Sequence, residues 1–458
     1  MKKLTINDAA WLMLETRERP MHVGGLQLFE YPTDAGPDFL REIVEDFRAG
    51  TLVRQPFNQR LRKPYSRTGT FHWIEDGAFD LDYHFRHSAL PHPGRVRELL
   101  SLISRLHSTL LDRHRPLWEC HLIEGLENNR FAIYTKIHHS VVDGVAAMNL
   151  AMSAFSTDAG ARDMPPPWAR SRKELKLDRD GGQRDAVEVS LKSVGRSARG
   201  VGNVFSALRD QYRQAKRNEA EVVPYQAPPS MLNRPITGSR RFAAQSYSLN
   251  RIKAVSKALD GTINDVVMAM CASALRTYLS SHHALPDQPL ISIVPVSVRP
   301  KGEQGHGNAI GFLLCSLATN LGDPAERFGR IQESMRAGKE RLKQMSREEI
   351  INYSLLLTAP MVMGQLLGFK GDRRPMYNIT ISNVPGPRET LYWNGCRMEG
   401  MYPASLMLDG QAVNITMVSY AESMEFGITA CRKSLPSVQR LLDYLEEGLA
   451  ELEAIAGI

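Results

Sequence analysis

A chain of 458 residues has room for two or three domains of ordinary size and for extensive apolar cores. Its 43% hydrophobic and 23% charged residues are those of a globular, soluble protein. Five scattered cysteines without CxxC spacing exclude a thiolate metal motif and a disulfide framework, and the net charge of +7 comes with no recognised nucleic-acid-binding motif.

The N-terminus has no apolar run of signal-peptide type, so a reducing cytoplasm is the expected home. Residues 8–15 read as a short capped helix and 21–29 as a strand. Residues 39–53 and 96–111 carry helical periodicity, with extended segments at 71–73 and 82–85 between them. Residues 117–124 read as a strand, joined by a turn at Glu127-Asn128-Asn129 to a second strand at 131–137. That hairpin delivers His138-His139-Ser140-Val141-Val142-Asp143-Gly144, after which 145–152 reads as a buried helix.

An imidazole at a strand end is rigidly placed and titrates near neutrality, which suits a general base. Edge filling explains a His-His pair equally well, and Ser140-x-x-Asp143 also has the spacing of a capping box. Neighbours on a strand point to opposite faces, which argues against a shared metal. Spacing alone does not choose between these readings.

Residues 163–239 change texture: Pro165-Pro166-Pro167, Gly181-Gly182 and Pro228-Pro229 punctuate a charged segment whose middle, 187–217, can form amphipathic helix. Between residues 162 and 221 there are 14 Lys/Arg against 9 Asp/Glu, a balance of +5. A solvated face, an anionic membrane surface and a phosphorylated cofactor tail all account for it. The segment reads as a mobile, partly helical linker between residues 1–162 and 240–458.

In the second half, 242–249 is strand-like and 249–259 a short helix. Thr262-Ile263-Asn264-Asp265 opens a long apolar helix over 266–279. Strands follow at 288–298, 311–319, 377–384 and 413–421, with an amphipathic helix at 323–344 and a last one at 434–455. Residues 351–369 are uncharged and of spanning length, but polar groups and Pro360 make them read as one or two buried or interfacial helices broken at the proline. Interleaved helices and strands in both halves favour a mixed α/β fold of two layered domains with the active centre between them.

His138-His139-x-x-x-Asp143-Gly144 resembles the HHxxxDG signature of the coenzyme A-dependent acyltransferase superfamily, which includes chloramphenicol acetyltransferase and the condensation domains of peptide synthetases. More narrowly, a series of segments resembles the bacterial wax ester synthase/diacylglycerol acyltransferase family. In order they are Asp8-Ala9-x-Trp11, Met21-His22-Val23-Gly24, Pro116-Leu117-Trp118, Asn264-Asp265-Val266-Val267, Val294-Pro295-Val296-Ser297-Val298-Arg299, Gly307-Asn308 with Gly311-Phe312, Ser382-Asn383-Val384-Pro385-Gly386-Pro387, and Asn414-Ile415-Thr416 with Ser419-Tyr420. They span nearly the whole chain. One departure is that Phe426-Gly427 leads to Cys431-Arg432, where the family carries an acid.

The resemblance implies transfer of a long-chain acyl group from acyl-CoA to a fatty alcohol or diacylglycerol, in two chloramphenicol acetyltransferase-like domains that meet at a channel. It implies no cofactor, acyl-CoA being a co-substrate, and no metal. His139 is then the base, with His138 as support, Asp143 a structural acid paired with Arg299, and Gly144 allowing close helix approach. Asn264 is the oxyanion candidate, with a plain N-cap as its alternative reading. Pro116, Leu117 and Trp118 shape the wall behind the histidine, Trp118 reading also as a core aromatic. Asp265, Ser382, Asn383, Pro385 and Gly386 fall on the substrate side, the last four in a stiff loop suited to clasping the pantetheine arm or bridging the domains. The 19 methionines suit an adaptable acyl tunnel or ordinary core filling. Expected partners are the substrates and a membrane or lipid-inclusion surface, not nucleic acid; oligomeric state is left open, a homodimer included. A carrier-dependent condensation catalyst and a non-catalytic lipid-body protein are the competing readings.

Overall fold

A computed structural model describes residues 2–4, 6–50, 52–62, 71–142, 150, 152–170, 222–297, 310–368 and 375–458. Three sheets carry it. Strands β1 (Lys2–Lys3), β3 (Gln59–Arg62) and β4 (His72–Glu75) make a small sheet in the order β1-β4-β3. The first large sheet contains β2 (His22–Glu30), β5 (Phe85–Ala89), β6 (Trp118–Leu126), β7 (Arg130–His138), β12 (Tyr392–Trp393) and β13 (Cys396–Ala404), ordered β12-β13-β2-β7-β6-β5. The second contains β8 (Arg240–Ser248), β9 (Ile291–Ser297), β10 (Ile310–Ser316), β11 (Ile379–Val384), β14 (Val413–Tyr420) and β15 (Ser423–Cys431), ordered β10-β9-β11-β14-β15-β8.

β7 sits inside the first sheet, antiparallel to β2 on one side and β6 on the other. Its alternation decides two faces. Phe131, Ile133 and Ile137 join Phe29, Trp118, Trp168 and Trp393 in one apolar cluster. Ala132 and Tyr134 face Leu99 and Ile103 of the helix Val96–Ser108 in another. The turn between β6 and β7 holds Asn128 at φ 63 and Asn129 at φ 54, the left-handed geometry a tight hairpin demands. The second sheet packs against the helices Leu249–Ala258, Ile263–Ser281, Pro324–Lys343 and Arg440–Ala456 around a separate, larger core.

Several expectations shift. The helix Arg347–Leu366 runs unbroken through Pro360. A proline interior to a helix costs about 3 kcal/mol, chiefly one backbone hydrogen bond and a steric clash; a Ser346/Glu349 capping box and burial of Ile350, Tyr353 and Leu357 outweigh it. Residues 82–85 are not simply extended: Leu81–His84 is a helical turn capped by the Asp80 side chain, and only then does β5 begin. The final helix starts at Arg440, not 434. The helix expected at 145–152 lies largely outside the described residues, as does 171–221 of the expected linker. The described ends of that linker are packed: Trp168 is 2% and Leu232 0% exposed. Among the described residues no single helix is long and apolar enough to cross a membrane.

The two halves interlock. β12 and β13, from late in the chain, extend the first sheet by pairing with β2. In return the helix Val96–Ser108 closes the exposed edge of β8, where Ser104 Oγ accepts from Phe242 N (2.9 Å) and Ser108 Oγ from Arg240 N (2.8 Å). At the crossing of β15 and β13, a Cβ on Gly427 would stand 1.8 Å from the Pro403 carbonyl oxygen.

Backbone cannot yield there as a side chain would. Gly427→Ala should therefore lower stability in urea by about 1–3 kcal/mol. Gly36→Ala, with nothing within 4 Å of its added Cβ, should stay within about 0.5 kcal/mol of wild type.

Candidate active site

The two histidines stand where β7 runs out, and the backbone ladder holds them to the end. His138 N–H donates to Leu117 O at 3.0 Å on the β6 side, and His139 N–H donates to Met21 O at 2.8 Å on the β2 side. His22, the first residue of β2, lies opposite His138.

Their rings differ in surroundings. His138 is 0% exposed. Its Nδ1 accepts from Ser140 N–H at 3.1 Å and lies 2.7 Å from the Ser140 hydroxyl. That assigns the ring proton to Nε2, which faces Glu15 Oε1 at 3.4 Å. His139 is half-buried, its ring 4.2 Å from that of Trp11 at an interplanar angle of 34°. Trp11 belongs to the helix Ile6–Leu14. Burial pushes the Glu15 carboxyl up, but contacts with His138 and Arg113 outweigh it and hold the group below the ordinary carboxylate range.

Beneath the pair runs a buried polar layer on the even-numbered face of β7. Lys136, 0% exposed, donates from Nζ to Leu106 O and Thr109 O, each at 3.0 Å, and lies 3.1 Å from Glu119 Oε2. A cation suits the carbonyl-rich end of the helix Val96–Ser108. Burial pushes the Glu119 carboxyl up, yet the His121 hydrogen bond with Lys136 and Arg86 brings it down to about 2. His22 Nε2–H donates to His107 O (2.9 Å). His107 Nε2–H donates to Ser405 O (3.1 Å), which leaves its Nδ1 to accept from the Tyr134 hydroxyl (2.8 Å). Desolvation keeps these imidazoles neutral: the His107 pKa is pushed down to about 3 and that of His22 well below its ordinary value.

Pro116, Leu117 and Trp118 are all buried. Leu117 serves through its carbonyl. Trp118 donates its indole N–H to Phe57 O (2.8 Å) and stacks on His84 and Trp168, ring centroids 4.8 and 5.4 Å away. The ring is enclosed by protein, as a core aromatic is, and the segment supports the strand under the histidine.

A second group forms at the start of the helix Ile263–Ser281. Thr262, not Asn264, is the N-cap, and Asp265 closes a capping box, its Oδ2 accepting from Thr262 N (2.8 Å) and Oγ1 (2.7 Å). Asp265 is 6% exposed, its carboxylate engaged by the start of the helix. Asn264 is left half-buried at the helix entry, where its Oδ1 accepts from Asn383 Nδ2 at 3.5 Å. Ser382, beside it on β11, is half-buried opposite Thr416; Pro385 is exposed. Gly386 N–H donates to Ser419 Oγ (3.1 Å), and a Cβ there would meet Ser419 O at 2.2 Å, so the loop lies flat on β14. Both groups border one apolar cluster, which holds Val141 and Val142 after the histidines and Val384 after Asn383. Asp143, Gly144 and Arg299 lie outside the described residues.

Sequence reading gave no role to Trp11, Glu15, Met21 or Arg113. Its one available signal for the buried layer was Lys136, a lysine at an inward position of an apolar strand, in register with Glu119. Among the described residues no three His, Cys, Asp or Glu side chains converge as a metal-binding group.

Residues 4–267 match the family model described as the wax ester synthase/diacylglycerol acyltransferase catalytic domain, and 306–453 match the C-terminal domain of the same family. The chain is 45% identical to the O-acyltransferase WSD of Acinetobacter baylyi over 99% of this chain and 98% of that one. It is 47% identical to a putative diacylglycerol O-acyltransferase of Mycobacterium tuberculosis, covering 98% and 99%. Among solved structures, a wax ester synthase/diacylglycerol acyltransferase from Marinobacter aquaeolei VT8 superposes with a TM-score of 0.81 at 44% identity, covering both chains fully. The first condensation domain of the calcium-dependent antibiotic synthetase shares the fold, with a TM-score of 0.60 at 16% identity over 99% and 96% of the chains.

The buried layer makes stability fall on the acid side. Below pH 6.5 the unfolded chain takes up a proton at His107 that the folded chain refuses until about pH 3. Glu119 acts in the same direction lower down, protonating near 4.5 when unfolded and near 2 when folded. The denaturation midpoint should drop steadily from pH 6.5 toward 3. In His107→Gln the slope above pH 4.5 should be shallower by about one proton, ~1.4 kcal/mol per pH unit.

Proposed function

The chain belongs to the wax ester synthase/diacylglycerol acyltransferase family, and we propose that it moves a long-chain acyl group from acyl-CoA to the hydroxyl of a fatty alcohol, a diacylglycerol, or both, with His139 as general base. The observation that carries the assignment of the base is the asymmetry of the histidine pair. His138 is sealed, with Ser140 on one ring nitrogen and Glu15 on the other, while His139 is half-buried and held by its backbone.

An alcohol is a poor nucleophile near neutral pH, so its attack on a thioester needs a base within hydrogen-bond reach. His139 takes the hydroxyl proton as the oxygen bonds to the acyl carbonyl carbon. The tetrahedral oxyanion then collapses, the C–S bond breaks, and the imidazolium returns its proton to the CoA thiolate. Ester and free CoA leave, and no acyl-enzyme forms. All five cysteines are buried, and desolvation raises the thiols of Cys271 and, to about 12, of Cys120, Cys315 and Cys396, too high for a ready thiolate nucleophile. Cys431 alone is lowered, burial being outweighed there by hydrogen bonds from Ser434 and Thr237, and it lies at the end of β15 beside those residues. Asn264, at the positive end of a 19-residue helix, is the donor proposed for the oxyanion, with Asn383 orienting it. Asp143 paired with Arg299 remains the proposed scaffold beyond the described residues, with Gly144 allowing the helix after it close approach. Ser382, Pro385 and Gly386 keep their proposed place beside the pantetheine arm.

The proposed setting is the cytoplasmic face of the membrane or a lipid inclusion, where the acceptors reside. The +5 balance between residues 162 and 221 supports that peripheral contact.

His139→Ala should lower kcat by about 10²–10⁴-fold with palmitoyl-CoA and hexadecanol or dioleoylglycerol, without loss of folding. Normal turnover by that variant would overturn the assignment. Intact-mass spectra of wild type quenched during turnover should show no acyl adduct; an adduct at kinetically competent level would replace direct transfer by a two-step route. Competition between the two acceptors for labelled acyl-CoA measures which product dominates.

A further inference from the structure

We propose that Glu15 is a positioning residue for the reaction: its buried carboxylate, braced by Arg113, indexes both histidines and so sets the place of His139. The inference rests on His139 being the base.

Three groups converge on this one side chain, which is 3% exposed. Oε1 accepts from Met21 N–H at 3.2 Å and faces His138 Nε2 at 3.4 Å. Oε2 accepts from Arg113 Nε at 2.8 Å, and the Arg113 Nη2 lies 2.8 Å from the same oxygen while donating to Leu12 O at 2.6 Å. Met21 is the residue whose carbonyl holds His139 N–H. The carboxylate therefore reaches His139 by two routes, through the neighbouring ring and through the backbone on which His139 hangs.

The local chain is shaped for this. Glu15 directly follows the helix Ile6–Leu14, its N–H donating to Trp11 O (3.2 Å), so that helix and the residue closing it set Trp11 over the His139 ring and Glu15 against His138. Between Glu15 and Met21 the chain doubles back in a turn closed by paired backbone bonds, Thr16 N–H to Arg19 O (3.2 Å) and Arg19 N–H to Thr16 O (3.0 Å). The Glu15–Met21 bond staples the two ends of that turn. All the groups facing the carboxylate carry N–H, and only an acceptor with two equivalent oxygens can meet Met21 on one side and Arg113 on the other. A glutamine keeps the shape but must turn an NH₂ toward one set of donors, which shifts the turn or the His138 ring.

The test compares folded Glu15→Gln with Glu119→Gln, a matched loss of a buried carboxylate in the same sheet that touches neither histidine of the pair, and with His139→Ala. Glu15→Gln should lower kcat about 10- to 100-fold, as misplacement by about an ångström does. The KM for acyl-CoA should stay within about twofold, and Glu119→Gln should hold kcat within the same margin while losing thermal stability. If Glu15→Gln does not fold, Glu15→Asp retains the charge but withdraws it by one methylene, and the same loss of kcat at constant KM is expected. Wild-type kcat in the folded variant, a change in KM alone, or equal kcat losses in the Glu15 and Glu119 variants would overturn the inference. If His139→Ala kept its turnover, the base assignment itself would fail. If that variant is inactive and the Glu15 variants are unimpaired, only the positioning role falls.

Discussion

The site hangs on the last two backbone hydrogen bonds of β7. A strand inside a sheet is ordinarily held on both edges along its length, and its end is where the ladder frays. Here the ladder continues past the end: His138 is bonded to Leu117 and His139 to Met21, one on each flank. This gives a residue formally outside the strand the rigidity of one within it. The neighbouring elements then follow. Pro116-Leu117-Trp118 must be packed, because Leu117 is an anchor; the start of β2 must be held, because Met21 is the other; and the helix Ile6–Leu14 must lie across both, because Trp11 covers one ring and Glu15 meets the other.

The polar layer under β7 is costly to build and easy to break. A fully buried ammonium is tolerable only where every donor finds an oxygen, and Lys136 finds two helix-terminal carbonyls and a carboxylate. The neutral histidines follow from burial: desolvation lowers the pKa of His22 and His107 even though each donates to a carbonyl, a bond that by itself favours the charged form. Such a layer is directional where an apolar core is not. It fixes the register of β6 against β7 by pairing Glu119 with Lys136, and it ties that hairpin to the helix Val96–Ser108.

The halves of the chain are not independent bodies placed side by side. β13 crosses into the first sheet, serines of an early helix satisfy the edge of β8, and Gly427 lets β15 touch the backbone of β13. The same interlocking places Val384 and Val418 of the second half in one apolar cluster with Val142 of the first, so that the Asn264–Asn383 pair and the histidine pair border a common apolar wall.

Much of this was legible in the chain. Period-two runs and turn residues located β2, β6, β7, β8, β9, β10, β11 and β14 to within a few residues. The polar opening at Thr262–Asp265 located the helix Ile263–Ser281 and amphipathic spacing the helix Pro324–Lys343, and the ordered motifs pointed to the family and to the histidine pair. Those features are local, written in spacing and side-chain chemistry. What depended on distant partners was not legible. Nothing near residue 396 says that β13 will join a sheet begun at residue 22, and nothing around Glu15 says that its carboxylate will meet His138. Asn264 read as an oxyanion donor or as a plain cap until Thr262 proved to hold the cap position. Trp118 read both as a wall of the site and as core, and nothing local announced that Trp168, 50 residues on, would stack against it. Periodicity settles which face of an element is buried; only the folded chain settles against what, because burial is a contact between segments and a sequence records each segment alone.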